Sequence, residues 1–309
     1  MRGLFALLPI RFVLACVRVL PASLFPLLAT VTYWLALPFA QRDLRQLQRN
    51  VQRIYGLPPG THFARLFERQ VLRHHVICIL ETLRLIQEPK RIQVAGVEDL
   101  QANVRQAEAG GKGHIVVTAH IGSWELCAYF GRLVASRPFS VLAKPMRYVA
   151  ATDFLGRLRA RMGVQVLWTD RKSLLRDMLT ALKAGESVGF VMDQKPDGRK
   201  GPVVDFLGQP TEFVSGPATM AIKTGCAVVS IFCLREGLFR YRLHSRLLLK
   251  AGHGETDELV LTQRLATEIA AIVRAYPEQW TWNYKRWREA SASRDGASAA
   301  AGTNSQAVS

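Results

Sequence analysis

The stretch "HIVVTAHIGSWELCAYFGRLVA", His114–Ala135, decides how the chain is read. Its opening run, Ile115-Val116-Val117, is short, continuous and β-branched, the pattern of a strand covered on both faces. His120 closes that run. Gly122 and Ser123 then permit a tight turn, and Ser123 is a residue type that caps helices. From Ser123 to Ala135 apolar residues recur at helical spacing. A buried strand leading directly into a helix is half of a βαβ unit, so this segment points to an α/β fold.

The alternation continues outward. "FSVLAK" (139–144) reads as a strand, "ATDFLGRLRARMG" (151–163) as a helix and "VQVLW" (164–168) as a strand before a helix at about 171–184. "SVGFVMD" (187–193) is another buried strand. Ser215 to Thr224 reads as a short helix and "CAVVSIFCL" (226–234) as a strand. "FRYRLHSRLLL" (239–249) alternates, which suggests an antiparallel edge. Asp257 to Ala275 forms a late helix. The expectation is a mostly parallel mixed sheet flanked by helices, an αβα sandwich over residues 90–289. Upstream, 42–56 and 61–87 are amphipathic helices with arginine on the polar face, divided by Gly56-Leu57-Pro58-Pro59-Gly60. The low-complexity tail, 290–309, is expected to be disordered.

The first 41 residues differ in kind. "VLPASLFPLLATVTYWLALPFAQ" (19–41) holds no charge and would reach about 34 Å as one helix, enough for a bilayer. It is expected to be a membrane-anchoring segment, spanning or dipping in, although Pro21, Pro26 and Pro38 argue against one straight rod. Arginines on both flanks leave its orientation open. A buried core hairpin is the alternative.

Composition narrows the partners. At 309 residues with 49% apolar content the chain can bury a sizeable core, and disorder is excluded. Lys and Arg number 41 against 24 acids, a formal charge of +17 that favours an anionic partner: nucleic acid, an anionic lipid surface or an acidic carrier protein. No nucleic-acid-binding module is recognisable, and the apolar N-terminus points away from one. The five cysteines form no C-x-x-C pair and sit in apolar surroundings, as buried thiols of a reducing compartment do.

The candidate chemistry is His120-x4-Glu125. Spacing alone is weak, since His253 and Glu258 in "HGETDE" repeat it among only seven histidines. Context separates the two, because ligands of an α/β sheet gather beyond the carboxyl ends of its strands, where His120 falls. Glu125, in the first helical turn, would reach back and fix one ring nitrogen. The other nitrogen would then take a proton from an attacking hydroxyl, with helix-start N–H groups facing a developing oxyanion. An ordinary strand-end histidine beside an acid on the helix dipole explains the same residues. Other chemistries fit less well. Ser123 lacks a G-x-S-x-G elbow, no second His or Cys stands at metal-ligand spacing, and "GGKGH" (110–114) precedes its strand where a phosphate loop follows.

The strand running into "AHIGSWE", the later "MDQKPDGRKGPVVDFLGQP" and the closing "YPEQWTWNYKRWR" keep an order and spacing that resemble the late acyltransferases of lipid A biosynthesis. This is the lauroyl and myristoyl transferase group of the glycerolipid acyltransferase superfamily, and the likeness covers about residues 1–288. It implies transfer of a fatty acyl chain from acyl carrier protein to a hydroxyl of a lipid A precursor. The reaction would need no cofactor or covalent intermediate and would run at the cytoplasmic face of a bacterial inner membrane. His120 and Glu125 match the family's catalytic pair. Arg157 and Arg161 both occupy the helix whose arginine holds an anionic part of the substrate, and Asp193 and Gln194 match the Asp-Gln after the third core strand. Lys195, with Arg199 and Lys200, surrounds a glycine-rich loop that is either a phosphate contact or an ordinary solvated basic loop. Ser230 stands where the family carries proline in a "VPF"-like run, which bears on the acceptor. Trp280, Trp282, Tyr284 and Trp287, with Lys285, Arg286 and Arg288, form either a membrane-interface girdle or a packed segment. Another acceptor (an ornithine lipid, a glycolipid, a lysophospholipid), acyl-CoA as donor, or a non-catalytic lipid-binding protein are the competing readings.

Overall fold

A computed structural model describes residues 16–88, 92–146, 148–196 and 201–287. Its centre is the strand singled out above: β2 (His114–Thr118) is buried along its whole length. On one side β2 pairs in parallel with β5 (Ser187–Val191), followed by β3 (Phe139–Ala143) and β4 (Val164–Trp168), all parallel. On the other it pairs in parallel with β8 (Ala227–Gly237). Next to β8 runs β9 (Arg240–Leu249), antiparallel to it, and then β1 (Gln93–Ala95), parallel to β9. Among the described residues these strands form one seven-stranded sheet, in the order β1-β9-β8-β2-β5-β3-β4.

Side-chain alternation along β2 divides the core into two layers. Ile115 and Val117 pack against α7 (Leu174–Lys183), α8 (Gly216–Thr224) and α9 (Glu258–Ala275). Val116 packs on the opposite face, with α4 (Val97–Glu108) and α5 (Trp124–Val134), where α6 (Val149–Arg161) also lies through Met162 beyond its end. A strand covered on both faces must be apolar at every position, which is why β2 reads as an unbroken run. The expected sandwich is therefore the observed one. Two details differ. β9 is antiparallel as expected but is no edge, because the three-residue β1 covers it. A hairpin of β6 (Val203–Phe206) and β7 (Gln209–Glu212) also escaped the pattern, since "QPTE" offers a strand signal only at Thr211.

The N-terminal membrane anchor is not confirmed by the structure. Among the described residues no single helix is long and apolar enough to cross a membrane. The apolar stretch breaks into a 3₁₀ turn at Ala22–Leu24 and a 12-residue helix, α1 (Phe25–Ala36). A 100° bend then leads into α2 (Gln41–Tyr55). Proline sets both ends. Pro26 sits in the first turn of α1, where a missing N–H costs nothing, and Pro38 stops the helix two residues earlier. Phe25, Ala29 and Tyr33, spaced i, i+4, i+8, are buried beside α3 (His62–Gln87). The Phe25 ring meets Phe239 edge-on at 4.9 Å. Residues 1–15 and the tail 290–309 lie outside the described residues.

The closing aromatic segment is packed, which decides between its two readings. Trp280, Trp282, Arg286 and Trp287 are all buried. Trp282 meets Trp280, Tyr55 and Phe67 at 4.7, 5.4 and 5.8 Å, tying α2 and α3 to the sheet. Truncating one such tryptophan to alanine costs about 3–5 kcal/mol, so these residues bind the layers together and do not form an interface girdle.

Candidate active site

The site begins where β2 ends. Beyond Ala119 the chain turns sharply, with the Ile121 N–H donating to the Ala119 carbonyl at 2.8 Å. Gly122 has φ +56°, and a Cβ there would lie 2.2 Å from the Cys233 carbonyl oxygen, so only glycine fits. Its N–H donates to Gln279, while the Ser123 N–H donates to Cys233. The closing segment runs antiparallel alongside, and both the N–H and the hydroxyl of Thr281 donate to the His120 carbonyl, at 3.0 and 2.7 Å. The backbone of His120 is thus fixed before its side chain is considered.

The imidazole is fixed by Asp193, two residues past β5. Nδ1 of His120 lies 2.7 Å from Asp193 Oδ1, and the His120 backbone N–H donates to Oδ2 at 3.0 Å. The Trp280 indole donates to the same Oδ2 at 2.8 Å. Burial of Asp193, only 3% exposed, would raise its pKa, but the charge and hydrogen bond of His120, then the Trp280 and His120 N–H groups, hold it below the usual carboxylate value. For His120 burial would lower the pKa. The Asp193 carboxylate, by charge and hydrogen bond, with a smaller contribution from Glu125, turns the net shift upward. An ionised carboxylate only accepts, so the neutral imidazole carries its proton on Nδ1 and leaves a lone pair on Nε2. Nε2 takes no hydrogen-bond partner among the described residues, and the side chain remains 23% exposed.

Glu125 does not hold the ring. It lies in the first turn of α5, and its two oxygens accept from Nη2 and Nε of Arg159 at 2.6 and 3.0 Å, a bidentate pair. Both side chains are largely but incompletely covered. The arginine of α6 that reaches the site is therefore Arg159, while Arg157 and Arg161 point to solvent. The signal was present in the spacing. Leu155, Leu158 and Met162 mark the inward stripe of α6, and Arg159 falls on it while the other two arginines do not. The arrangement joins a carboxylate-held imidazole with an open Nε2, an ion pair next to it and the start of a helix. Such a set can accept a proton from a hydroxyl and stabilise the cation that results.

The profile of the bacterial lipid A biosynthesis acyltransferases matches residues 7–289. The chain belongs to this family. Among curated relatives it is similar to the phosphatidylinositol mannoside acyltransferase of Mycobacterium tuberculosis (strain ATCC 25618 / H37Rv), at 24% identity covering 78% of this chain and 76% of the relative. The phosphatidylinositol mannoside acyltransferase of Mycolicibacterium smegmatis (strain ATCC 700084 / mc(2)155) is 27% identical, covering 78% and 79%. The protein is an acyltransferase.

The remaining residues of this acyltransferase divide clearly. Gln194 is exposed beside Asp193, and the half-buried Lys195 donates its backbone N–H to the Tyr284 hydroxyl at 3.3 Å. Arg199 and Lys200 lie outside the described residues. Ser123 stands at the N-cap position, but its hydroxyl pairs with that of Thr82 at 2.7 Å and does not cap the helix. Ser230 is buried and donates to Glu268 at 3.0 Å, a core contact. The second His-x4-Glu match dissolves: His253 accepts the Glu255 N–H, and Glu258 accepts the Thr219 hydroxyl. Among the described residues no group of His, Cys, Asp and Glu could hold a metal ion. Asp193, which matches the Asp-Gln after the third core strand, stands behind the ring and joins His120 to Trp280.

Proposed function

We propose that this acyltransferase moves a fatty acyl chain from an acyl carrier protein thioester to a hydroxyl of a lipid A precursor, with His120 as general base and Asp193 as its orienter. The observation that carries this reading is the 2.7 Å contact between Nδ1 and Asp193, which leaves Nε2 basic and outward. Nε2 takes the hydroxyl proton as the oxygen attacks the thioester carbonyl. The new C–O bond forms, the C–S bond breaks, and the proton passes from Nε2 to the departing thiolate. The thioester is already activated, so no covalent acyl-enzyme is required. Asp193 stabilises the imidazolium in between, and the N-terminal end of α5 favours the developing oxyanion. Arg159, held by Glu125, presents a guanidinium to an anionic part of the substrate.

Two features support work at a bacterial inner membrane. The face of α1 opposite its buried stripe exposes Leu27, Val31, Trp34 and Leu35, and Phe39 beyond it is 90% exposed. Tyr148 and Val149, at the start of α6, are exposed as well. Exposed apolar surface of this kind suits contact with a bilayer. The charge of +17 suits both an acidic carrier protein and a phosphorylated acceptor. The names of the curated relatives favour a second reading of the acceptor, a phosphatidylinositol-based glycolipid. Purified protein given labelled acyl carrier protein or acyl-CoA, with each acceptor in turn, tests the proposal. An acylated lipid A precursor made from the carrier thioester is expected. Acylation of only the inositol lipid would replace the acceptor, and no ester with any acceptor would overturn the reading.

A further inference from the structure

Trp124, the first residue of α5, is a large apolar side chain that the core does not use. Among the described residues neither core layer includes it, whereas Leu126 and Cys127, next along the helix, are buried in the layer that α5 covers. It is half-buried and makes no hydrogen bond among the described residues. Its ring packs on His120 instead, with centroids 5.3 Å apart and planes at 66°, an edge-to-face pair. Both neighbours hold it there. The Ser123 N–H donates to the Cys233 carbonyl at 2.9 Å, and Glu125 is clamped by Arg159.

The contact bears on the chemistry because His120 changes charge when it takes a proton. Asp193 holds Nδ1, so the opposite edge of the imidazole, with Nε2, turns outward. The face of an indole is electron-rich and attracts a cation within about 6 Å of its centre, tryptophan being the strongest of the aromatic residues in this respect. A neutral imidazole gains little from such a face, and an imidazolium, whose edge is more positive, gains more. Exclusion of water by the same ring acts the other way, since desolvation disfavours the charged form. The two effects therefore differ in sign. The charged and titratable groups around His120 stay in place when Trp124 is changed. Asp193 faces it from the loop after β5, and Glu125 from α5, paired to Arg159 of α6. His75 of α3 meets the Thr281 hydroxyl at 3.2 Å, on the far side of the His120 carbonyl, and Arg286 of the closing segment acts on Asp193.

We propose that Trp124 is a positioning residue of the base, its indole face set against the outward edge of His120 so that it stabilises the imidazolium formed on proton uptake. The inference rests on His120 being the base, as the acyltransferase reading has it. Two full-length variants test it: Trp124→Leu keeps an apolar side chain without a π face, and Trp124→Phe keeps a face. In Trp124→Leu kcat should fall about three- to tenfold with KM nearly unchanged. The ring then holds its proton less tightly, so the acid limb of the rate should move to lower pH by about 0.5–1 unit. Trp124→Phe should recover most of both. Because the core does not use Trp124, thermal unfolding should stay near native in both variants. An acid limb that stays in place or moves to higher pH in Trp124→Leu would reduce the ring to a water shield and overturn the proposal. So would a Trp124→Phe protein no better than Trp124→Leu, or a rise in KM with kcat unchanged. His120 is also titrated without turnover, through its ring-proton resonances in the substrate-free protein. A catalytically silent protein whose His120 pKa falls in Trp124→Leu still supports the contact. An enzyme that depends on His120 but whose titration ignores Trp124 overturns the contact alone.

Discussion

Replacing Asp193 with asparagine is the sharpest perturbation of the pair, because it exchanges one oxygen for an NH₂ group and reverses the roles of the ring nitrogens. In the native site Oδ2 accepts two N–H groups, from the His120 backbone at 3.0 Å and Trp280 at 2.8 Å, while Oδ1 accepts Nδ1–H. Asparagine has one acceptor oxygen. Placed at Oδ1, it would turn its NH₂ toward two buried N–H donors, at about 1–3 kcal/mol for each donor left unsatisfied. Placed at Oδ2, it keeps both donors and turns the NH₂ toward Nδ1. Nδ1 must then accept, the proton moves to Nε2, and the nitrogen meant to receive the substrate proton is occupied. The second arrangement wins on these numbers. Loss of a positioned base lowers kcat by about 10²–10⁴, or about 2.7–5.4 kcal/mol of barrier. The pH dependence should move too. The active imidazole is neutral, so the native rate falls as pH drops through a pKa raised above the ordinary 6.5. Without the carboxylate, burial dominates, the pKa falls, and the acid limb shifts to lower pH. Initial rates of acyl transfer from about pH 5 to 9 measure both effects. A D193N protein with native kcat and an unmoved acid limb would refute the reasoning, as would Glu125→Gln producing both effects in its place.

Three further outcomes are expected. Arg159→Gln should raise KM for a phosphorylated acceptor about tenfold while leaving the acid limb in place. Arg157→Gln and Arg161→Gln, on the solvent side of the same helix, should leave KM unchanged. Gly122→Ala forces a side chain into a φ of +56° and against the Cys233 carbonyl, so thermal unfolding should show a loss beyond the roughly 1–3 kcal/mol of backbone strain alone. Glu81 is fully buried and accepts from Arg235 and Tyr241. Glu81→Ala strands that guanidinium, and chemical denaturation should register about 3–5 kcal/mol.

The sheet and the histidine were legible because their signals are local. A strand buried on both faces is apolar at every position, and the His120 turn needs a glycine that stands two residues on. The partner of His120 was not legible in the same way. Asp193 lies 73 residues away, and β2–β5 adjacency brings it under the ring. Glu125 was the candidate because sequence shows it at reach. A first-turn acid nevertheless turns to whichever cation the neighbouring helix presents, and Arg159 was there. The apolar N-terminus was legible in part. Pro21, Pro26 and Pro38 already spoke against one straight rod, and α1 is limited to 12 residues, but the buried face of Phe25, Ala29 and Tyr33 comes from long-range packing on α3. The aromatic closing segment admitted two readings until long-range packing of Trp282 on Tyr55 and Phe67 decided between them.

The central claim is that His120 takes the proton from the acceptor hydroxyl in a direct transfer. A rapid-quench single turnover tests it most directly, with native protein and His120→Gln, a labelled acyl thioester on carrier protein and the lipid acceptor. The account predicts that transfer falls about 10²–10⁴-fold in the variant, with folding and lipid binding retained, and that no labelled acyl-protein precedes product in the native enzyme. Transfer by His120→Gln at the native rate, or an acyl-protein that forms and decays ahead of the ester, would contradict it.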